Sequence, residues 1–337
     1  MFREAAAAGA AVRVQLERNR TVMAELGERV RSLAPRAVVT CARGSSDHAA
    51  TFAKYLFETR AGVLTASAAP SIASVYGARQ DLRECLFLVI SQSGRSPDLL
   101  AAAQAARAAG ALVVALVNDE DSPLAAQAHF TVPLCAGEEK SVAATKSYLA
   151  SLAALVHLAC EWMGDATLRA ALERTPADLE RAWQLDWSAG MVTLLPARSL
   201  YVIARGVGLG IAQEAALKCK ETCGLHAEAF SAAEVRHGPQ ALLQDDFPAL
   251  LFCQDDETRA GIESLAGELA ARGVDVLVAG PAGPIPGALH LPFIESHPVI
   301  APLLLAQSFY RLANALAIAR GNDPDRPPHL RKITKTT

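Results

Sequence analysis

Aromatic side chains are scarce in this sequence, with ten Phe, five Tyr and three Trp making up 5% of 337 residues. At 51% hydrophobic residues the apolar content is instead aliphatic, which points to an Ala-, Leu- and Val-rich soluble α/β protein. No charge of one sign prevails: 32 Lys and Arg face 35 Asp and Glu for a formal net charge of -3. Both signs are spread along the chain, so there is no basic stripe to serve as a nucleic-acid footprint, and no nucleic-acid partner is expected. Long apolar runs are missing too; the most hydrophobic stretches are too short or too interrupted to span a bilayer. The start, Met1-Phe2-Arg3-Glu4 and then alanines, lacks the regions of a signal peptide. A cytoplasmic protein without a membrane partner is the expectation. The seven cysteines (41, 85, 135, 160, 219, 223 and 253) are odd in number and scattered, several within apolar patterns, which reads as buried thiols. Cys219 and Cys223 have a spacing two zinc ligands could use, but no second Cys/His pair is placed to complete a site, so no metal is expected.

The length gives room for two α/β domains. An amphipathic helix over residues 4–33 ends near Pro35, and Ala37-Val38-Val39-Thr40-Cys41 reads as a short buried strand. Further strands are predicted near 63–65 and at 86–90, 112–117 and 130–134, with helices over 47–56 and 97–109. Continuous Val/Leu/Ile runs alternating with helices mean a parallel sheet covered on both faces. An Ala-rich helix over 142–163 and a polar helical stretch over 165–186 follow. The pattern then restarts: a strand at 200–204, a Gly-rich turn over 205–210, a helix over 211–222, strands at 249–252 and 274–278, and a closing helix over 300–319. The predicted fold class is α/β, an internal duplication of one doubly wound, flavodoxin-like parallel-sheet unit. Its expected organisation is an N-terminal helix (1–34), a first domain (35–165), a helical linker (166–190), a second domain (191–320) and an extended tail (321–337).

Two strand-to-helix turns carry an echo, Arg43-Gly44-Ser45-Ser46 and Ser91-Gln92-Ser93-Gly94-Arg95-Ser96. A helix starting just after such a turn presents unpaired N–H groups and a positive dipole end, and serine hydroxyls add donors at short reach. Ligands of open α/β sheets sit outside the carboxyl ends of the strands, where these turns and the 205–210 turn fall, so one cleft for a phosphorylated small molecule is the economical reading. Gly206-Val207-Gly208-Leu209-Gly210 is not a dinucleotide fingerprint, because its third glycine comes one residue too early.

Three further blocks complete the pattern: Ser141-Val142-Ala143-Ala144-Thr145-Lys146; Glu214-Ala215-Ala216-Leu217-Lys218-Cys219-Lys220-Glu221; and His226-Ala227-Glu228-Ala229 with His237-Gly238-Pro239. Together with Ser91-Gln92-Ser93-Gly94 they resemble the sugar isomerase (SIS) domain pair, specifically the isomerase half of glucosamine-6-phosphate synthase, over nearly the whole chain. The sequence begins directly at the first SIS unit without the synthase's glutaminase, which favours the stand-alone glucosamine-6-phosphate deaminases of the same family. Fructosamine-phosphate deglycases share the scaffold, and a non-catalytic sugar-phosphate sensor is the reading from another class. Synthesis from free ammonia is the deaminase reaction reversed.

The resemblance implies roles. Glu221 matches the base that moves a proton between C1 and C2. Lys218, three residues earlier on the same helix, can stabilise a developing enolate or enolamine. His237 matches the ring-opening histidine, and Lys332 the lysine that forms a Schiff base with the ketose. Ser45, Ser46, Ser91, Gln92, Ser93 and Ser96 match the binders of the phosphate and hydroxyls. His48, Glu139, Glu228 and Glu234 are expected close behind them. No organic cofactor is implied, and a homodimer sharing its active sites is.

Overall fold

A computed structural model describes residues 1–244 and 246–332. The chain divides into two compact units that are not consecutive segments. The amino-terminal unit holds residues 10–139 and 146–176 with Arg331 and Lys332; the carboxy-terminal unit holds 1–9, 140–145 and 177–330. Among the described residues no helix is long and apolar enough to cross a membrane.

Five parallel strands form the sheet of the amino-terminal unit: β1 (Ala37–Cys41), β2 (Thr65–Ser67), β3 (Cys85–Ser91), β4 (Leu112–Val117) and β5 (Phe130–Pro133), in the order β2-β1-β3-β4-β5. Every residue of β3 and β4 is buried, as the unbroken runs Cys-Leu-Phe-Leu-Val-Ile-Ser and Leu-Val-Val-Ala-Leu-Val demand of strands covered on both faces. On one face Phe87, Val89, Val113 and Ala115 pack against Leu99, Ala102, Ala103 and Ala106 of the helix Pro97–Ala108. Small alanines there let helix and sheet approach closely, which is how the fold closes with so few rings.

The carboxy-terminal unit repeats the design with β6 (Ser199–Ala204), β7 (His226–Ser231), β8 (Ala249–Phe252), β9 (Val276–Ala279) and β10 (Ala288–Leu291), all parallel, in the order β10-β9-β8-β6-β7. Counted from its own first strand, each sheet reads 2-1-3-4-5, so the duplication expected from the sequence is present in the topology. In this order the chain reverses direction between the first and third strands, at β1/β3 and at β6/β8, and a ligand crevice opens at that switch point.

Some elements differ from the sequence reading. The amino-terminal helix is three segments, Phe2–Ala6, Ala8–Arg18 and Arg20–Leu33. Glu4 accepts from the Lys140 and Ser141 N–H groups and the Ala5 carbonyl accepts from Gln307, whereas Asn19 donates to the Pro133 carbonyl. Residues 141–145 are not helical; the helix starts at Lys146, since Glu4 and the Pro324–Asp325 carbonyls hold the backbone and hydroxyl of 140–142 in an open loop. Strands β7 and β10 escaped the pattern because both are edge strands whose charged or exposed residues (His226, Glu228, His290) interrupt the apolar run. The last five residues of the expected tail lie outside the described residues.

The loop after β3 turns on Gly94, with φ of +61°. A methyl there would run into the Ser122 hydroxyl and sit 2.6 Å from its Cβ. Gly94→Ala should therefore destabilise the protein by about 1–3 kcal/mol, read as a lowered urea midpoint with an unchanged slope; an unaltered midpoint would show that the loop is free to refit.

Candidate functional site

In the amino-terminal unit the two Ser-bearing turns follow β1 and β3, which are hydrogen-bonded neighbours in register (Cys41 beside Val89). Ser45 and Ser46 open the helix Ser45–Arg60, whose cap is Gly44, a residue with no side chain to spend on the first-turn N–H groups. Ser96 caps the helix Pro97–Ala108 without a side-chain cap bond. The Ser91 hydroxyl accepts from the Gly94 N–H at 3.1 Å and the Ser93 hydroxyl from the Arg95 N–H at 3.4 Å, while the Gln92 carbonyl accepts from Asn118 at 3.2 Å. Backbone fixed in this way holds Ser45, Ser46, Ser91, Gln92, Ser93 and Ser96 at one switch point, with two helix starts facing it. Hydroxyls and positive dipole ends suit a compact anion. Arg95 does not reach inward; its Nε and Nη2 donate to Asp119 at 3.1 and 2.8 Å.

The corresponding position in the carboxy-terminal unit is closed from within. Gln254, wholly buried after β8, donates through Nε2 to the Arg205 carbonyl at 2.7 Å, to Thr258 at 3.0 Å and to Asp256 at 3.1 Å. A side chain on Gly208 would lie 2.7 Å from its Oε1. The 205–210 turn, grouped with the other two in the sequence reading, is occupied by the protein's own amide.

The reactive groups of this unit lie elsewhere on the same βα module. The helix Leu209–Cys223 carries Glu214, Lys218 and Glu221 on one stripe. At about 1.5 Å rise per residue Glu221 lies roughly 18 Å beyond Leu209, beside the left-handed Gly224 cap and the start of β7. Lys218 is 0% exposed and paired with both carboxylates, with Glu214 at 3.4 Å and with Glu221. Burial alone would push its ammonium toward deprotonation, but Glu214 and Glu221 together hold its pKa above the ordinary lysine value. The nearby helix end, with its negative dipole, works in the same direction. Tyr310, fully buried on the helix Ala301–Ala319, donates to Glu214 Oε1 at 3.0 Å. Glu221 keeps 20% of its side chain exposed. The result is a partly exposed carboxylate backed by a buried lysine whose charged form the two carboxylates favour. Glu214 and Tyr310 were missed as site residues; the i−4 and i−7 spacings of Glu214 from Lys218 and Glu221 were the legible signal, and Tyr310 had none.

His237 is exposed on the turn after the short helix Ala232–Val235, its N–H donating to the Glu234 carbonyl at 2.9 Å. Lys332 belongs to the amino-terminal unit, where its Nζ donates to Glu139 Oε2 at 3.1 Å. Glu139 is buried and also accepts from the Ser147 N–H at 3.3 Å and the Ser147 hydroxyl at 2.6 Å. In this state Lys332 is an ion-paired ammonium, and imine chemistry would require it to leave Glu139 and lose a proton.

Two doubly wound parallel sheets of identical strand order, one with serine-bearing turns at its switch point, define a duplicated α/β protein. A family model for the SIS domain matches residues 34–160 and 193–279. Among curated relatives, glutamine–fructose-6-phosphate aminotransferase (isomerizing) of Symbiobacterium thermophilum is 34% identical over 322 residues, covering 90% of this chain and 52% of that protein. The same enzyme of Aeropyrum pernix is 35% identical over 86% of this chain and 49% of its own length. The chain thus spans about half the length of the curated relatives it matches. Of solved structures, a candidate phosphosugar isomerase from Silicibacter pomeroyi superposes with a TM-score of 0.92 at 42% identity, over 96% of this chain and 99% of that one. The C-terminal domain of the Francisella tularensis aminotransferase gives 0.85 at 24% identity, over 96% and 97% of the two chains. The protein belongs to the SIS domain family, with two SIS repeats, and is homologous to the isomerase domain of glutamine–fructose-6-phosphate aminotransferase.

Replacing Lys218 by Met leaves Glu214 buried opposite Glu221 with no cation, and should cost about 3–5 kcal/mol. Tyr310→Phe, which removes one bond to a charged acceptor, should cost about 1.5–3 kcal/mol. Because the Lys218 pKa is raised, its contribution is complete below the ordinary lysine range and is lost only as pH climbs through the raised value. The urea-derived gap between wild type and Lys218→Met should therefore hold from about pH 7 to about pH 10. A gap that closes within that window would mean Lys218 is not held as a cation.

Proposed function

We propose that the protein is a glucosamine-6-phosphate deaminase, converting glucosamine-6-phosphate and water to fructose-6-phosphate and ammonia without metal or organic cofactor. The observation that carries this reading is the half-open Glu221 carboxylate against the buried Lys218 ammonium, a base and an electrophile within one residue's reach. In the open-chain aldose, Glu221 takes the proton from C2, Lys218 stabilises the charge that develops on the C1 oxygen, and Glu221 returns the proton to C1 while the C1 oxygen gains a proton and the C2 amine gives one up. The product is the imine of fructose-6-phosphate, and water hydrolyses it, releasing the nitrogen the substrate brought. Deamination asks for nothing beyond this isomerisation machinery. The serine turns bind the phosphate, His237 opens the ring, and Lys332 closes over the substrate or assists ring opening. Homology to an isomerizing aminotransferase supports the aldose–ketose step. A glucosamine-6-phosphate deaminase from Thermotoga maritima shares the fold, with a TM-score of 0.74 at 23% identity.

The same reading makes the protein a homodimer with His237 delivered to its partner's site, supported by the imidazole's exposure on a turn. Mixing inactive Glu221→Gln and His237→Ala variants should restore part of the activity as subunits exchange; mixtures with proven exchange and no recovery would show that each chain completes its own site.

The direct test is stoichiometric ammonia and fructose-6-phosphate release from glucosamine-6-phosphate. Wild type should turn over, and Glu221→Gln at equal folded concentration should lose about 100-fold or more. No release from folded wild type sinks the deaminase reading.

A further inference from the structure

The two serine turns are tied together by a charge pair that the chemistry above does not use. Arg43, in the turn after β1, donates through Nε at 2.9 Å and Nη2 at 2.8 Å to Oδ2 of Asp98. Asp98 lies in the first turn of the helix that follows the Ser91–Ser96 loop, and its other oxygen accepts from the Leu99 N–H at 2.9 Å. The two members are placed very differently: the Asp98 side chain is 0% exposed and that of Arg43 is 52% exposed. A carboxylate withdrawn from water costs several kcal/mol to bury, which the helix start offsets only in part. For stability alone a small apolar residue at 98 would serve as well. What the pair adds is a bridge with fixed geometry. One turn is anchored by β1, the other by β3, and the guanidinium spans the switch point between them, immediately before Gly44 with φ of +56°. Guanidinium suits this task because its planar fork fixes direction as well as distance.

We propose that Arg43 and Asp98 are positioning residues for the phosphoryl group: their pair sets the separation of the Ser45-Ser46 and Ser91–Ser96 turns, so that hydroxyls and N–H groups from both converge on one phosphate. The inference rests on the sugar-phosphate reading of the site but not on deamination. A gap wrong by an ångström lets either turn bind alone and loses the other's donors.

The test uses the full chain and inorganic phosphate, with fructose-6-phosphate as second probe, by calorimetric titration at low salt. Arg43→Ala and Asp98→Asn should weaken phosphate by tenfold or more, and Arg43→Lys, which keeps charge but not the fork, by an intermediate factor. The double variant Arg43→Met/Asp98→Leu removes the buried charge and should recover urea stability without recovering phosphate affinity. Stability and affinity returning together, or folded Arg43→Ala binding within twofold of wild type, overturns the proposal. Wild type that binds neither probe overturns it along with the phosphate site. Wild type that binds phosphate, with the variants impaired, yet releases no ammonia from glucosamine-6-phosphate, upholds the clamp while the deaminase reading falls.

Discussion

Parallel pairing is the constraint from which the rest follows. Two parallel strands cannot be joined by a tight turn; the chain must cross over, and between most consecutive strands here it does so through a helix, β9 to β10 being joined by a loop. Every strand of a sheet then ends at the same edge, and after β1 and β3 the connection leaving that edge is a turn followed by a helix start. The serine turns of the amino-terminal unit lie there, after β1 and β3, where helix starts present their first-turn N–H groups. The alternation of strand and helix also covers both sheet faces, so β3 and β4 carry no outward polar residue and only their ends are free to be functional.

The two repeats spend this common plan differently. At its switch point the first places serine-bearing turns and two helix starts; the second fills the same place with Gln254 and concentrates charge near the far end of the helix Leu209–Cys223. Each choice suits its end of a helix. A helix start favours an anion, and the last turns of a helix favour a cation such as Lys218. The buried charges are likewise of two kinds. Lys218 is shared between two carboxylates, one half-open, so its charge can act on whatever Glu221 meets. Asp98 is buried against Arg43, and the pair joins the two turns.

Most of the fold was legible because its determinants are local. Apolar runs such as Leu86–Ile90 read as buried strands, and Pro97 marks a helix start at the residue itself. What the sequence hid depends on partners far away in it. The break in the amino-terminal helix comes from Glu4 reaching residue 140 and Asn19 reaching residue 133. The open loop at 141–145 looks helical by composition and is held open by carbonyls from 324 and 325. The site shows the same division. Lys218 and Glu221 share a helix face by spacing alone, whereas Tyr310 and Asp98 are joined to Glu214 and Arg43 across 96 and 55 residues, and no pattern within a window of the chain announces such a pair.

The backbone passes from one unit to the other after residues 9, 139, 145, 176 and 330. Each unit is therefore written in the chain as interrupted text. The carboxy-terminal unit holds both the first nine residues and a loop drawn from the middle of the amino-terminal unit, and the amino-terminal unit receives Lys332 only after the other is otherwise complete. On the ribosome, the early sheet can form while its neighbour is still being made, but Glu4 and residues 140–145 must wait for the segment around Pro324 before their bonds exist. Long-range closure of this kind is slow compared with the local folding of helices and turns. The bonds from Ser141 to the Pro324 carbonyl and from Gln307 to the Ala5 carbonyl thus span 183 and 302 residues of chain within the carboxy-terminal unit.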